Sequence, residues 1–69
     1  MESTFSLRGE YIELIKLLKF TGLAENGGMA QSLVEQNLVM VNGAIETRKR
    51  AKLKAGDVVT YEGQSIRIE

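Results

Sequence analysis

The chain has 69 residues, a length that fits one small domain, predicted here as residues 1–69. It contains no cysteine and no histidine, which excludes disulfides, thiolate metal sites and the side chain that most often serves as general base or metal ligand. Nine basic and nine acidic residues give a formal net charge of zero, so only the distribution of charge along the chain can indicate a charged partner.

The N-terminal stretch MESTFSLRGE is acidic and has no long apolar run, so no signal peptide is predicted. No apolar stretch approaches the roughly 20 residues that span a bilayer, and the predicted location is the cytoplasm. Residues 5–8 alternate apolar and polar side chains, which predicts a short edge strand that ends at Gly9.

The segment EYIELIKLLKF has the apolar spacing of an amphipathic helix that packs on a core. Its predicted apolar stripe consists of Tyr11, Leu14, Ile15 and Leu18, widened by Ile12, Leu17 and Phe20. The polar positions of this segment are Glu10, Glu13, Lys16 and Lys19. They give the predicted helix an acidic first turn and a basic last turn, as the helix dipole prefers. Gly22 is predicted to end this helix.

A second helix is predicted over residues 28–36, with Asn26 as its N-cap and Asn37 at its end. Its inner face is expected to carry Ala30, Leu33 and Val34, with Met29 beside them.

Several short strands follow the helices. Asn42-Gly43 predicts a hairpin, because a type I′ turn needs positive φ at both central residues. Residues 54–57 form a second predicted turn, and the stretches VVTY and SIRIE read as two strands joined across residues 62–64. The predicted fold class is therefore α+β, with two helices packed on one face of a small, mostly antiparallel sheet.

Positive charge is concentrated in residues 48–54, called the basic segment below, which hold five of the nine basic residues and no acid. Such a cluster can neutralise several phosphates and release their counterions. If the segment is extended, one face carries Arg48, Arg50, Lys52 and Lys54 about 6.5–7 Å apart, and Lys49 lies on the other face. The alternative interpretation is a solvated loop that balances acids elsewhere.

Two further places could contact phosphate. Asn26, Gly27 and Gly28 precede or begin the second helix, where free N–H groups attract anions, although a plain loop and cap is the alternative. Gln31 lies one turn further on and could equally be inert surface. Lys16 and Lys19 share a face of the first helix, where phosphate contact is possible but complementing the helix dipole is the favoured interpretation. No aromatic residue lies within the basic segment, which favours recognition of RNA backbone and shape over base stacking.

The order of these motifs resembles the S-four RNA-binding domain, also called the αL motif, and is most similar to its stand-alone bacterial YbcJ-like members. The resemblance rests on Ala30 with Leu33 and Val34, on Val41-Asn42-Gly43, on the basic segment, and on Gly56-Asp57 before a strand. It implies the fold above and binding of RNA, ribosomal or transfer RNA above all. Gln31 stands where members of this family often have arginine, and Ala55 where they have proline.

The sequence thus predicts a non-catalytic RNA-binding module with no metal, no cofactor, no small-molecule substrate and no membrane association. An adaptor that docks an acidic protein through the basic segment is the alternative. A small enzyme is disfavoured, because no motif supplies an acid, a base or a nucleophile. Which RNA is bound, and whether a protein partner exists, stay open at this level.

Overall fold

A computed structural model of the protein describes residues 2–69 and places two helices and seven short strands in it. In chain order, the elements are β1 (Glu2–Phe5), β2 (Ile12–Glu13), α1 (Leu14–Phe20), α2 (Gly27–Glu35), β3 (Met40–Val41), β4 (Ala44–Ile45), β5 (Lys52–Leu53), β6 (Val58–Tyr61) and β7 (Gln64–Ile68). The predicted fold class is confirmed, because both helices pack on one face of a mostly antiparallel sheet. No helix in the described range is long and apolar enough to cross a membrane.

Five strands form the main sheet in the order β1-β7-β6-β3-β4. β1 runs parallel to β7, while the other neighbouring pairs are antiparallel. Asn42 and Gly43 have φ of 53° and 85°, which confirms the predicted type I′ hairpin between β3 and β4. Glu62 and Gly63 have φ of 48° and 77° and make a similar turn between β6 and β7. Gln64, predicted to belong to that connection, is the first residue of β7.

The N-terminal strand lies at the sheet edge as predicted, but its predicted bounds of 5–8 are wrong. β1 ends at Phe5 because its register with β7 runs from Glu2 opposite Ser65 to Phe5 opposite Ile68. The N–H of Leu7 then donates to the carbonyl of Glu69 as a last link, at 2.8 Å. The alternating pattern locates a strand in this region, but the partner strand sets where it begins and ends.

The first helix begins four residues later than the apolar pattern predicts. Ile12 and Glu13 belong to β2, which pairs with β5 as a separate two-stranded ribbon. The predicted acidic first turn is therefore wrong, because Glu10 and Glu13 precede α1, whose first turn holds no acid. The basic last turn is confirmed by Lys19.

The helix ends follow local chemistry. Gly22, with φ of 83°, donates its N–H to the carbonyl of Lys19 just after α1. Asn26 is the N-cap of α2, and its side-chain oxygen accepts the N–H of Met29 at 2.8 Å. Asn37, with φ of 60°, follows the end of α2. These three predicted boundaries are confirmed to within one residue, unlike the predicted start of the first helix.

The core lies between the helices and the inner face of the sheet. Its fully buried larger side chains are Leu14, Leu17, Leu18, Val34, Val39, Leu53, Val59 and Ile68. Ala30 and Leu33 join them from α2 as predicted. Two residues of the predicted stripe do not: Tyr11 is 47% and Phe20 62% exposed, because each lies outside the interior turns of α1 that face the core.

Candidate nucleic-acid interface

The basic segment begins as a tight turn and continues as a strand. The N–H of Ala51 donates to the carbonyl of Arg48 at 3.1 Å, and β5 follows. The expected alternation of faces therefore holds only from Ala51 onwards, where Ala51 and Leu53 are buried while Lys52 and Lys54 are exposed. Arg48, Lys49 and Arg50 are also exposed, but on a turn and not on one face of an extended strand.

The backbone of the basic segment is fixed to the start of α1. The N–H groups of Leu14 and Ile15 donate to the carbonyls of Ala51 and Lys49, at 2.9 and 3.2 Å. The first amides of a helix have no partner inside it, so the turn and the helix satisfy each other. β2 pairs with β5 immediately beside these bonds. The five cations thus project from a backbone that is tied to the core.

Arg48 is the most strongly engaged of the five. Its Nε and Nη2 donate to the two carboxylate oxygens of Glu46 at 3.1 and 3.3 Å, and its N–H donates to Oε2 at 2.9 Å. These hydrogen bonds from Arg48 hold the pKa of Glu46 below its ordinary value, so that Glu46 is ionised at neutral pH. The charge of Arg48 is therefore partly neutralised within the protein.

Glu35 joins α2 to the basic segment. One of its carboxylate oxygens lies 3.9 Å from Nζ of Lys49 and accepts a hydrogen bond from Nε2 of Gln31 at 3.3 Å. The structure therefore places Gln31 close to the basic segment, with an acid between them. No pattern in the sequence singled out Glu35, because its role depends on the packing of α2 against the turn.

The remaining cations of the basic segment have no acidic side chain within ion-pair distance in residues 2–69. Arg50 and Lys54 project into solvent. Nζ of Lys52 lies 5.0 Å from the centroid of the Tyr11 ring, a cation–π contact. An aromatic side chain therefore does lie beside the basic segment in space, although none lies within it in the sequence.

The N-terminus of α2 is not brought to the basic segment. Lys49 lies near Glu35 at the C-terminal end of α2, and a nine-residue helix is about 13 Å long. Asn26 uses its side-chain oxygen to cap Met29, and its carbonyl accepts the N–H of Ala30. Of the first helical amides, those of Gly27 and Gly28 are left without a hydrogen-bond acceptor in the described structure. The candidate surface is therefore a track along α2 with cations at one end and two amides at the other.

The two lysines of α1 lie in different turns of that helix. Lys16 follows Ile15, which is bonded to the basic turn, so its backbone lies next to Lys49. Lys19 lies in the last turn of α1, with Nζ 5.7 Å from the centroid of the Phe20 ring. Both side chains are exposed and neither forms an ion pair with another described residue.

Asn42 and Asp57 connect two turns of the sheet, a contact that sequence reasoning missed. Nδ2 of Asn42 donates to Asp57 at 3.1 Å, and Oδ1 of Asn42 accepts the N–H of Val58 at 2.9 Å. The second oxygen of Asp57 accepts the N–H of Lys54 at 2.9 Å. Asn42 therefore has a second role besides its place in the β3–β4 turn. Through Asp57, it helps to fix the end of the basic segment. Within residues 2–69, there is no group of three or more acidic side chains that could hold a metal ion.

A family model described as the S4 domain matches residues 5–69 of this chain. The chain belongs to the S4 domain family. This S4 domain is 42% identical to YbcJ of Escherichia coli (strain K12) over 67 residues, 96% of each chain. It is 36% identical over 63 residues to RlbA of Bacillus subtilis (strain 168), which is named as a probable ribosome maturation protein, covering 91% of this chain and 89% of RlbA.

A solved structure agrees with this family. The solution structure of YbcJ from Escherichia coli, described as revealing an αL motif involved in RNA binding, superimposes on this S4 domain with a TM-score of 0.72. The superposition covers 94% of this chain and 84% of that one. The resemblance expected from the Val-Asn-Gly and Gly-Asp motifs is thereby confirmed at the level of family and fold.

Proposed function

We propose that this S4 domain is a non-catalytic RNA-binding module that grips the backbone of structured RNA, with ribosomal or transfer RNA as the ligand. The observation that carries the proposal is the state of Arg50, Lys52 and Lys54. They are exposed, have no acidic partner in the described residues, and project from a backbone bonded to α1 and β2. The αL motif of the YbcJ structure, described as involved in RNA binding, and the name of RlbA as a probable ribosome maturation protein support the same class of ligand.

The spacing and the fixed backbone of these cations suit them to bind successive phosphates. Lys52, in β5, and Lys54, just after it, are both exposed and two residues apart, a spacing of about 6.5–7 Å along extended backbone. Arg50 lies on the preceding turn, and Glu35 joins Lys49 on that turn to Gln31 on α2. Because the backbone is already fixed, little ordering entropy is lost when phosphates bind. Glu35 and Glu46 lie within this surface and reduce its net positive charge. The lower charge weakens binding to RNA that does not match the surface in shape.

A binding role without catalysis fits the chemistry of the chain. The sequence has no histidine and no cysteine. Asp57 is occupied by Asn42 and by the N–H of Lys54, and Glu46 is occupied by Arg48. An RNA ligand of the ribosomal or transfer class places the protein in the cytoplasm.

The affinity for structured RNA is expected to fall steeply as salt concentration rises. Contacts to about three to five phosphates give a slope of log affinity against log salt of roughly −2 to −4, because each contact releases condensed counterions. Filter binding of a structured RNA at several potassium chloride concentrations measures the slope. A slope near zero would contradict the electrostatic account.

Gln31→Arg is expected to tighten binding to many RNAs about equally. Arginine adds a permanent charge beside the phosphate track, and phosphate contacts position an RNA without reading its sequence. In this structure the new guanidinium could pair with Glu35 and release Lys49, so the surface gains one available cation in either arrangement. The salt slope should steepen by nearly one unit, with little change in stability because the two residues have similar helix propensity.

Gln64→Arg is the matched control for this substitution. It makes the same change at the first residue of β7, opposite Tyr61, at the far end of β6 from Asp57 and Lys54. Gln64→Arg should change neither the RNA affinity nor the salt slope. If Gln31→Arg also changes neither, α2 is not part of the interface and RNA is held by the basic segment alone.

The adaptor alternative gives a different result in cells. Material that co-purifies with the protein through RNA should be lost after ribonuclease treatment and after a rise in salt. Retention of a protein partner after ribonuclease, with loss only in salt, would favour an acidic protein as the ligand.

A further inference from the structure

A groove of about 390 Å³ lies between the segment that follows β1 and the two ends of α1. Its walls include Phe5, Leu7, Arg8, Tyr11 and Phe20. Three of the four aromatic residues of the protein therefore lie around one depression. Its volume falls in the range of roughly 300–1,000 Å³ that is usual for ligand pockets. Tyr11 and Phe20 are exposed there, although the spacing of apolar residues along the first helix would have buried both.

Cations lie in the wall of this groove and over two of its aromatic rings. Arg8 is the one charged residue in its wall among residues 2–69. Nζ of Lys52 lies 5.0 Å from the ring of Tyr11, and Nζ of Lys19 lies 5.7 Å from the ring of Phe20. Acidic residues also lie nearby, since Glu13 is opposite Lys52 in the β2–β5 ribbon and Glu10 precedes Tyr11. The backbone of Glu69 is hydrogen-bonded to Phe5 and Leu7 in the wall. None of these three acids lines the groove itself, and neither do Lys19 and Lys52. Aromatic rings with cations close to them match a ligand that has both a flat ring and a negative charge.

We propose that this groove holds an unpaired nucleotide of the bound RNA, with its base stacked on Phe20 and in contact with Tyr11. Arg8, Lys19 and Lys52 would contact the phosphates on either side of that base. This inference rests on the proposed function and adds a base-binding position to it. Lys52 connects the two sites, because it belongs to the basic segment and also covers the ring of Tyr11. A stack on an aromatic ring accepts any base, so the groove selects single-stranded character and not sequence.

Two RNA probes separate this site from the backbone grip. One is a blunt RNA duplex of 20 base pairs, and the other is the same duplex with five unpaired adenosines at one end. The wild-type protein should bind the extended duplex roughly tenfold more tightly, given what stacking on a side chain contributes per base. Phe20→Leu should abolish this preference and keep the affinity for the blunt duplex, because leucine fills the space but has no π face. Arg50→Glu should weaken binding to both probes.

A spectroscopic measurement tests the same contact without relying on affinity. The protein has no tryptophan and only two tyrosines. In a Tyr61→Phe variant, the tyrosine fluorescence reports on Tyr11 alone. It should be quenched by the extended duplex and not by the blunt one.

The outcomes are distinct. Equal affinity of the wild type for both probes, a preference that survives Phe20→Leu, or absence of quenching would each overturn the inference. The backbone grip would stand in those cases, and the groove would be left for an apolar segment of a protein. Failure of the wild type to bind either probe would overturn the proposed function, and the inference with it.

Discussion

Reversal of Arg48 and Arg50 to glutamate is expected to lower the affinity for structured RNA by at least about 100-fold, because two charge-assisted contacts are lost and two repulsive charges are gained. Both side chains are exposed on the turn, so the fold should remain. Arg48 also holds Glu46, and its reversal places two carboxylates side by side. Some loss of stability is therefore expected from Arg48→Glu and almost none from Arg50→Glu. Filter binding and circular dichroism measure the two effects.

Arg50→Glu and Arg67→Glu form a matched pair for this experiment. Each changes the charge by the same amount, but Arg67 is an exposed residue of β7, opposite Val58 and outside the basic segment. A loss of affinity confined to Arg50→Glu supports the proposed interface. Equal losses from both variants would mean that only overall charge matters. Unfolding of the Arg50→Glu variant would show that the basic segment is structural.

Gly43→Val is expected to destabilise the protein by about 1–3 kcal/mol, the usual cost of holding a residue in a poorly populated backbone region. Gly43 has φ of 85°, which a β-branched residue adopts only under strain. A Cβ at this position would meet no heavy atom within 4 Å, so the loss reflects backbone conformation and not a clash. For a domain of this size the midpoint of thermal unfolding should fall by roughly 4–8 °C per kcal/mol. RNA affinity, measured well below that midpoint, should change less than stability does.

Gly27→Val is the matched control, because it adds the same side chain at a glycine with ordinary φ and open space around its Cβ. Its midpoint should stay close to that of the wild type. If both variants unfold at the same temperature, the left-handed turn between β3 and β4 contributes nothing to stability. In that case Asn42 would hold the turn through Asp57 and Val58 alone.

Where the fold depends on neighbours in the chain, the sequence predicts it well. The N-cap at Asn26, the helix ends at Gly22 and Asn37, and the turn at Asn42-Gly43 each follow from the φ values and hydrogen bonds that those side chains favour. The apolar spacing of the two helices likewise predicts most of the core. These features involve residues within one or two helical turns of one another, so a short window of sequence holds all the information needed.

The candidate site is only partly predictable in this way. Its cations, Arg48 to Lys54, are plain in the sequence as a local excess of charge. The sequence does not show which of these cations are neutralised by an acid. Glu46 is only two residues from Arg48 in the chain, whereas Glu35 reaches Lys49 only through the packing of α2. The separation of the α2 N-terminus from the basic segment, by about the length of the helix, is also a result of packing.

The sequence by itself determined the local turns, the helix ends, the polarised charge and, through the order of its motifs, the family. Tertiary structure alone decided that Ile12 and Glu13 leave the helix to pair with β5, that Tyr11 lies under Lys52, and that Asn42 bonds to Asp57. The physical reason is the same in each case. Residues far apart in the chain meet only after the intervening loops have closed, and the free energy for closing them comes from burial of the whole core, which no local pattern contains.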